Sequence, residues 1–151
     1  MAAVTRDEAG GKYLWQPGWW EQHQRIAGAL AAQRHRPALT VSGDLHALGM
    51  VRIERSGDLD LARNPVHSVL SGPVGTGDVG WPSYARGVTA GLPEALRVTE
   101  LQALDERNGF TVLDFDRERC RIEVFGCPKE YVGPDELQPA SAATLELARL
   151  A

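Results

Sequence analysis

Cysteine is scarce: two residues, Cys120 and Cys127, in a chain of 151. They lie too far apart along one predicted strand to bridge without a sharp reversal, so both are expected as free thiols. That excludes a disulfide-stapled small fold. No apolar run is long enough to span a bilayer, so no membrane partner is expected. Met1–Gly11 has no apolar signal-peptide core, which makes the cytoplasm the default compartment. An excess of positive charge is missing too. With 16 Lys and Arg against 20 Asp and Glu, the net charge of -4 argues against a broad nucleic-acid surface. Internal repeats and low-complexity linkers are absent.

What is present is enough to fold. Hydrophobic residues make up 43% and charged residues 24%, which supplies a core and rules out a disordered tail. Residues 1–18 read as a polar, Gly-rich and then aromatic N-terminal loop. A helix is expected from Trp19 to Arg34, with Trp19, His23, Ile26 and Leu30 on one face and Ala27 and Ala31 beside them. Basic residues 34–36 suit its C-terminal dipole, and Pro37 stops it. Ala38–Ser42 then reads as a short buried strand. Helix, proline, buried strand and polar loop is the order of an α/β unit.

Further along, Leu48–Glu54 suits a strand, Ser56-Gly57-Asp58 a turn, and Leu59 and Leu61 a hairpin return. Val66–Leu70 is another short strand, followed by a Gly/Pro-rich loop over 71–82. Leu96, Val98 and Leu101 precede the turn pair Asn108-Gly109. Phe110–Phe115 and Cys120–Phe125 form a hairpin around the polar turn 116–119, with Cys120, Ile122 and Val124 on one face. Thr144–Leu150 is expected as terminal helix, within a helical segment spanning 135–151.

The most informative stretch is Leu39-Thr40-Val41-Ser42-Gly43-Asp44-Leu45-His46. An aspartate and a histidine two apart, just past a strand, reach one site if the backbone turns there. Carboxylate and imidazole are a common ligand pair for zinc, manganese or iron. The motif also fits a surface turn with a capping Asp and a solvated His. The buried strand before it weighs toward a site, because loops at the carboxyl ends of α/β strands are where sites collect.

Pro37–Ala47 resembles the last metal-binding motif of the PhoD-like alkaline phosphatases, a branch of the calcineurin-like metallophosphoesterases. The resemblance continues in the helix over 19–34, in Asn64–Pro73 and in Asn108–Phe115, and covers most of the chain after residue 13. It implies a mixed α/β (α+β) fold: the strand-rich C-terminal half of a four-layer αββα metallophosphoesterase sandwich, with residues 1–151 as one partial domain. It implies a phosphate ester substrate and a pair of metal ions, among iron, calcium, manganese and zinc. In most of the superfamily the last motif is Gly-His-x-His. Here Asp44 stands in the first histidine's place and His46 in the second, so these two carry over as metal ligands, the alternative for Asp44 being to orient a ligand without touching the metal.

The family's earlier motifs, Asp-x-His, Gly-Asp-x-x-Asp and Gly-Asn-His-Asp/Glu, are not found. Gly57-Asp58-Leu59-Asp60 has the wrong spacing, and Asn64-Pro65-Val66-His67 is not Asn-His-Asp. The chain therefore reads as a C-terminal part that is inactive alone, its partner being the missing N-terminal half or another chain. The rival reading is a non-catalytic, partner-binding module. His67 and Arg86 are weaker candidates, for a supporting or substrate-bordering role beside the loop over 71–87. Gly75–Gly80 matches Gly-x-Gly-x-x-Gly, but Trp81-Pro82 follows where a dinucleotide site needs an opening helix. Trp15, Trp19 and Trp20 suit packing or a sheet edge better than a substrate entrance.

Overall fold

The computed structural model describes residues 4–7, 17–33, 35–75, 83, 88–91, 95–127, 133, 135 and 137–146. The fold among them is mixed α/β and strand-rich. Its one helix, α1, spans Pro17–Ala32. Pro17 occupies the first turn, where its missing N–H costs nothing. At the other end Asn64 Nδ2 donates to the Gln33 carbonyl at 2.9 Å and satisfies one terminal acceptor.

The packed face of α1 is rotated from the expected one. Among the described side chains, His23 and Ala27 are buried, with Trp20, Leu30 and Ala31 against the same core, while Ile26 is 42% exposed. A buried polar contact fixes this rotation. His23 Nε2 lies 2.8 Å from the Oγ of Ser56, which is fully buried, and Gln24 Nε2 donates to the same oxygen at 2.9 Å. The His23 ring stacks on Trp20. Turning Ile26 inward would break a buried hydrogen bond to gain one aliphatic contact, and the bond wins.

The main sheet has five strands: β2 (Ala38–Ser42), β3 (Leu48–Ser56), β4 (Leu59–Asp60), β5 (Val66–Ser71) and β7 (Leu96–Asp105). Its order is β2-β5-β3-β4, and β7 also pairs with β3. β2 and β5 are parallel; the other pairs are antiparallel. In β5 the consecutive residues Ser68, Val69 and Leu70 are all buried, as expected of a strand covered on both faces. One face packs on α1 through Ala38, Ile53, Leu61, Val66 and Leu96. The other face, with Met50, Val69 and Leu39, packs on a second sheet.

That second sheet has the order β10-β9-β8, built from β8 (Gly109–Phe115), β9 (Arg119–Gly126) and β10 (Gln138–Glu146). The expected β8–β9 hairpin is present. The backbone N–H groups of Glu118 and Arg119 both donate to Asp116 Oδ1 at 2.7 Å, which closes its turn. Cys120, Ile122 and Val124 line the inner face with no exposed surface.

Three expectations fail. Residues 138–146 form a strand where the helical segment 135–151 and the terminal helix from Thr144 were expected, and residues 147–151 lie outside the described residues. Ala143 and Leu145 pair with Ile122 and Cys120, and sheet pairing overrides the helix preference of Ala and Leu. Val4–Asp7 forms strand β1, paired with β6 (Val88–Gly91), so residues 1–18 are not all loop. Asn108-Gly109 closes no hairpin, since β7 pairs with β3 and β8 with β9; the chain there crosses between sheets. Both cysteines are free, as expected.

Leu48 is fully buried where these layers meet. Gly72, at φ 85°, and Gly109 press against its side chain, and a Cβ on Gly109 would also collide with the Phe125 carbonyl oxygen. Gly109→Ala is expected to destabilise the fold by about 2–3 kcal/mol, read as a lower urea midpoint. Gly75→Ala, where a Cβ meets open space, is expected to leave the midpoint in place.

Burial pushes the His23 imidazole below its ordinary value of 6.5. The unfolded chain then binds a proton that the folded chain resists, so stability is lost as pH falls below about 6.5. The thermal midpoint should drop from about pH 7 to about pH 5, and drop less in His23→Gln. An equal drop in both proteins would remove His23 as a cause.

Candidate functional site

The parallel pair β2 and β5 brings two carboxyl ends side by side, with Ser42 in register with Leu70. β3 lies on the far side of β5 and begins at Leu48, opposite Ser71. Residues 43–47 must therefore cross the end of β5, a span of ~10 Å or two strand spacings. The backbone meets this with two left-handed residues, Asp44 at φ 69° and His46 at φ 53°. The Leu45 N–H donates to the Gly43 carbonyl at 2.9 Å, which closes a γ-turn about Asp44.

Left-handed backbone at non-glycine residues costs energy and concentrates at functional sites. Asp is among the residues that tolerate it, and His is also enriched there. Asp44 is exposed and His46 half-buried, while the next two residues, Ala47 and Leu48, are 2% and 0% exposed. The loop therefore leaves Asp44 open and His46 partly covered, and then plunges into the core. A carboxylate and an imidazole suit a borderline metal ion, and a turning backbone is what their spacing requires. Among the described residues no cluster of three or more His, Cys, Asp or Glu is placed to hold a metal.

His67 is elsewhere. It stands four residues before the end of β5, in register with Leu39 and Arg52, ~13 Å along the strand from Ser71. Burial, with the charge of Arg52 adding to it, pushes its imidazole below the ordinary range. Near it on the sheet, Glu54 accepts from Arg52 at 2.8 Å and from Thr99 at 3.1 Å, and pairs with Arg97 at 3.4 Å. Hydrogen bonds from Arg52 and then Thr99 hold that carboxyl below its usual range. This network ties β3 to β7. Asp105, opposite Leu48, is likewise spent on Arg107, at 2.6 Å.

Arg86 lies outside the described residues, as do Trp15 and residues 76–80 of the Gly-x-Gly-x-x-Gly segment. Two described parts of the loop over 71–87 attach to the crossover between β7 and β8. Gly109 N–H donates to the Pro73 carbonyl at 2.8 Å, and Ser83 donates to Glu106 through both its N–H and its hydroxyl. One residue at the site was not singled out by its sequence, Ser71. It ends β5 beneath the 43–47 loop, and its hydroxyl donates to the Ser42 carbonyl at 3.3 Å. Its only sequence signal is a small polar residue between an apolar run and Gly-Pro.

The left-handed backbone has a direct test. His46→Gly and His46→Ala both remove the imidazole, but only glycine adopts φ 53° without strain. His46→Gly is expected to be more stable than His46→Ala by about 1 kcal/mol in urea unfolding, the reverse of the usual order. Equal stabilities would mean that the turn is not held in solution. In comparisons with known proteins, no family model, no curated protein and no solved structure matches the chain.

Proposed function

We propose that this chain provides one side of a metal-dependent phosphoesterase site, with Asp44 and His46 as ligands. The observation that carries the reading is the left-handed Asp44–His46 loop at the joined carboxyl ends of β2 and β5. Ligand sites in α/β sheets collect at that end of the strands. The resemblance of residues 37–47 to the last motif of PhoD-like phosphatases points to the same two residues. A helix on one face of the main sheet and a second sheet on the other make three of the four layers of an αββα sandwich, which supports the four-layer reading.

In such a site a bound iron, manganese, zinc or calcium ion activates water and polarises the phosphoryl oxygens. Asp44 supplies a carboxylate oxygen and His46 an imidazole nitrogen. Two donors do not complete such a site, so on this reading the other ligands come from a further segment or another chain. The chain alone then binds metal weakly and hydrolyses no phosphate ester.

A second reading is a non-catalytic, partner-binding remnant of the same sandwich half. It is favoured by Phe115 and Val41, at 58% and 48% exposure on β8 and β2. Exposed apolar residues on outer strands suit pairing with further polypeptide.

The deciding experiment is a Mn²⁺ titration followed by NMR. Paramagnetic broadening should centre on the amides of 43–47 and the His46 ring, and spare the His67 ring. His46→Ala should abolish it, and Asp44→Asn should weaken it about tenfold. Broadening spread evenly over the acidic surface would overturn the metal reading and leave the partner-binding one.

A further inference from the structure

We infer that Ser71 is the positioning residue for the Asp44–His46 loop, an inference that rests on the metal-site reading above. Three hydroxyls stitch the parallel pair. Thr40 Oγ1 donates to the His67 carbonyl at 3.3 Å, and Ser42 Oγ to the Val69 carbonyl at 3.5 Å. Both run from β2 to β5. The third runs back: Ser71 Oγ donates to the Ser42 carbonyl at 3.3 Å.

That carbonyl belongs to the last residue of β2, and the next residue is Gly43. Glycine is the freest point of the chain, and any rotation there swings Asp44 and His46 together. A Cβ built on Gly43 would lie 3.9 Å from Ser71 Oγ, so the hydroxyl sits directly beneath this hinge. Among the described residues β2 pairs with β5 alone. The direction in which the loop leaves the sheet is therefore set from one side, by the β2–β5 ladder and its last rung. A group that holds a ligand loop through one hydrogen bond acts on metal affinity rather than on chemistry.

The test compares Mn²⁺ titrations of the whole chain carrying Ser71→Ala, Ser71→Thr or Thr40→Val, read as broadening of the 43–47 amides. Thermal midpoints are measured alongside. Ser71→Ala should weaken apparent affinity about tenfold. Ser71→Thr, which keeps the hydroxyl, should restore it. Thr40→Val removes a similar rung farther from the hinge and should bind as the parent does, even if its midpoint falls.

Parent-like affinity in Ser71→Ala overturns the inference, and so does an equal loss in Thr40→Val, which would mean general loosening of the edge. If Ser71→Ala fails to fold, Ser71→Cys, similar in size but a poor donor, replaces it with the same expected loss. Absence of localised broadening in the parent chain overturns the metal-site reading itself. Failure of that reading is thus distinguishable from failure of the Ser71 inference.

Discussion

The end of β5 is the constraint on which the candidate site depends. A strand flanked by a parallel neighbour on one side and an antiparallel one on the other forces the connecting chain over its tip. Here the connection is residues 43–47. Two residues of that crossing take positive φ. Glycine would meet it at least cost, yet Asp44 and His46 stand there. Backbone strain of this kind at non-glycine residues is what motivates the functional reading proposed for the pair.

The strain persists because both ends of the loop are held. At its start, β2 is laddered to β5 over its whole length, from Ala38 opposite Val66 to Ser42 opposite Leu70. At its finish, Ala47 and Leu48 are locked into the core, with Gly72 and Gly109 closed around the Leu48 side chain. Gly109 is also where the chain enters the second sheet. The packing of one sheet on the other and the anchoring of the loop are therefore the same contact. The helix contributes from the opposite face, where His23 and Ser56 fix its rotation against β3.

Periodicity revealed the elements whose burial is one-sided. β9 alternates Cys120, Ile122 and Val124 inward, and β2 is a short apolar run after proline, so both were legible. Fully two-sided β5 was found by its apolar run alone. Where neighbours decide the structure, sequence was silent. Residues 138–146 carry Ala and Leu, good helix formers, and become a strand because β9 offers an open edge. Asn108-Gly109 looks like a hairpin turn because turn chemistry is local. Its glycine is needed instead for close approach to the Phe125 carbonyl, which only the fold discloses. In the candidate site, Asp44 and His46 were singled out by their spacing, and the structure places both at positive φ in the 43–47 loop. His67 was grouped with them by residue type, and the register of β5 places it well down the strand. Ser71 was not legible, since its importance lies in what passes above it.

Energetics then bear on how the site works. Left-handed backbone costs roughly 1–2 kcal/mol at an ordinary residue, and two such positions lie in one loop. An ion held by one carboxylate and one imidazole keeps most of its water, and its weak binding scarcely offsets that cost. The offset becomes large when further donors close on the same ion, because each added ligand then binds to a pair already set in place. Asp44 is exposed, which leaves its carboxylate open to such an ion. On the proposed reading, the strain in this chain is preorganisation for ligands it does not itself bring together.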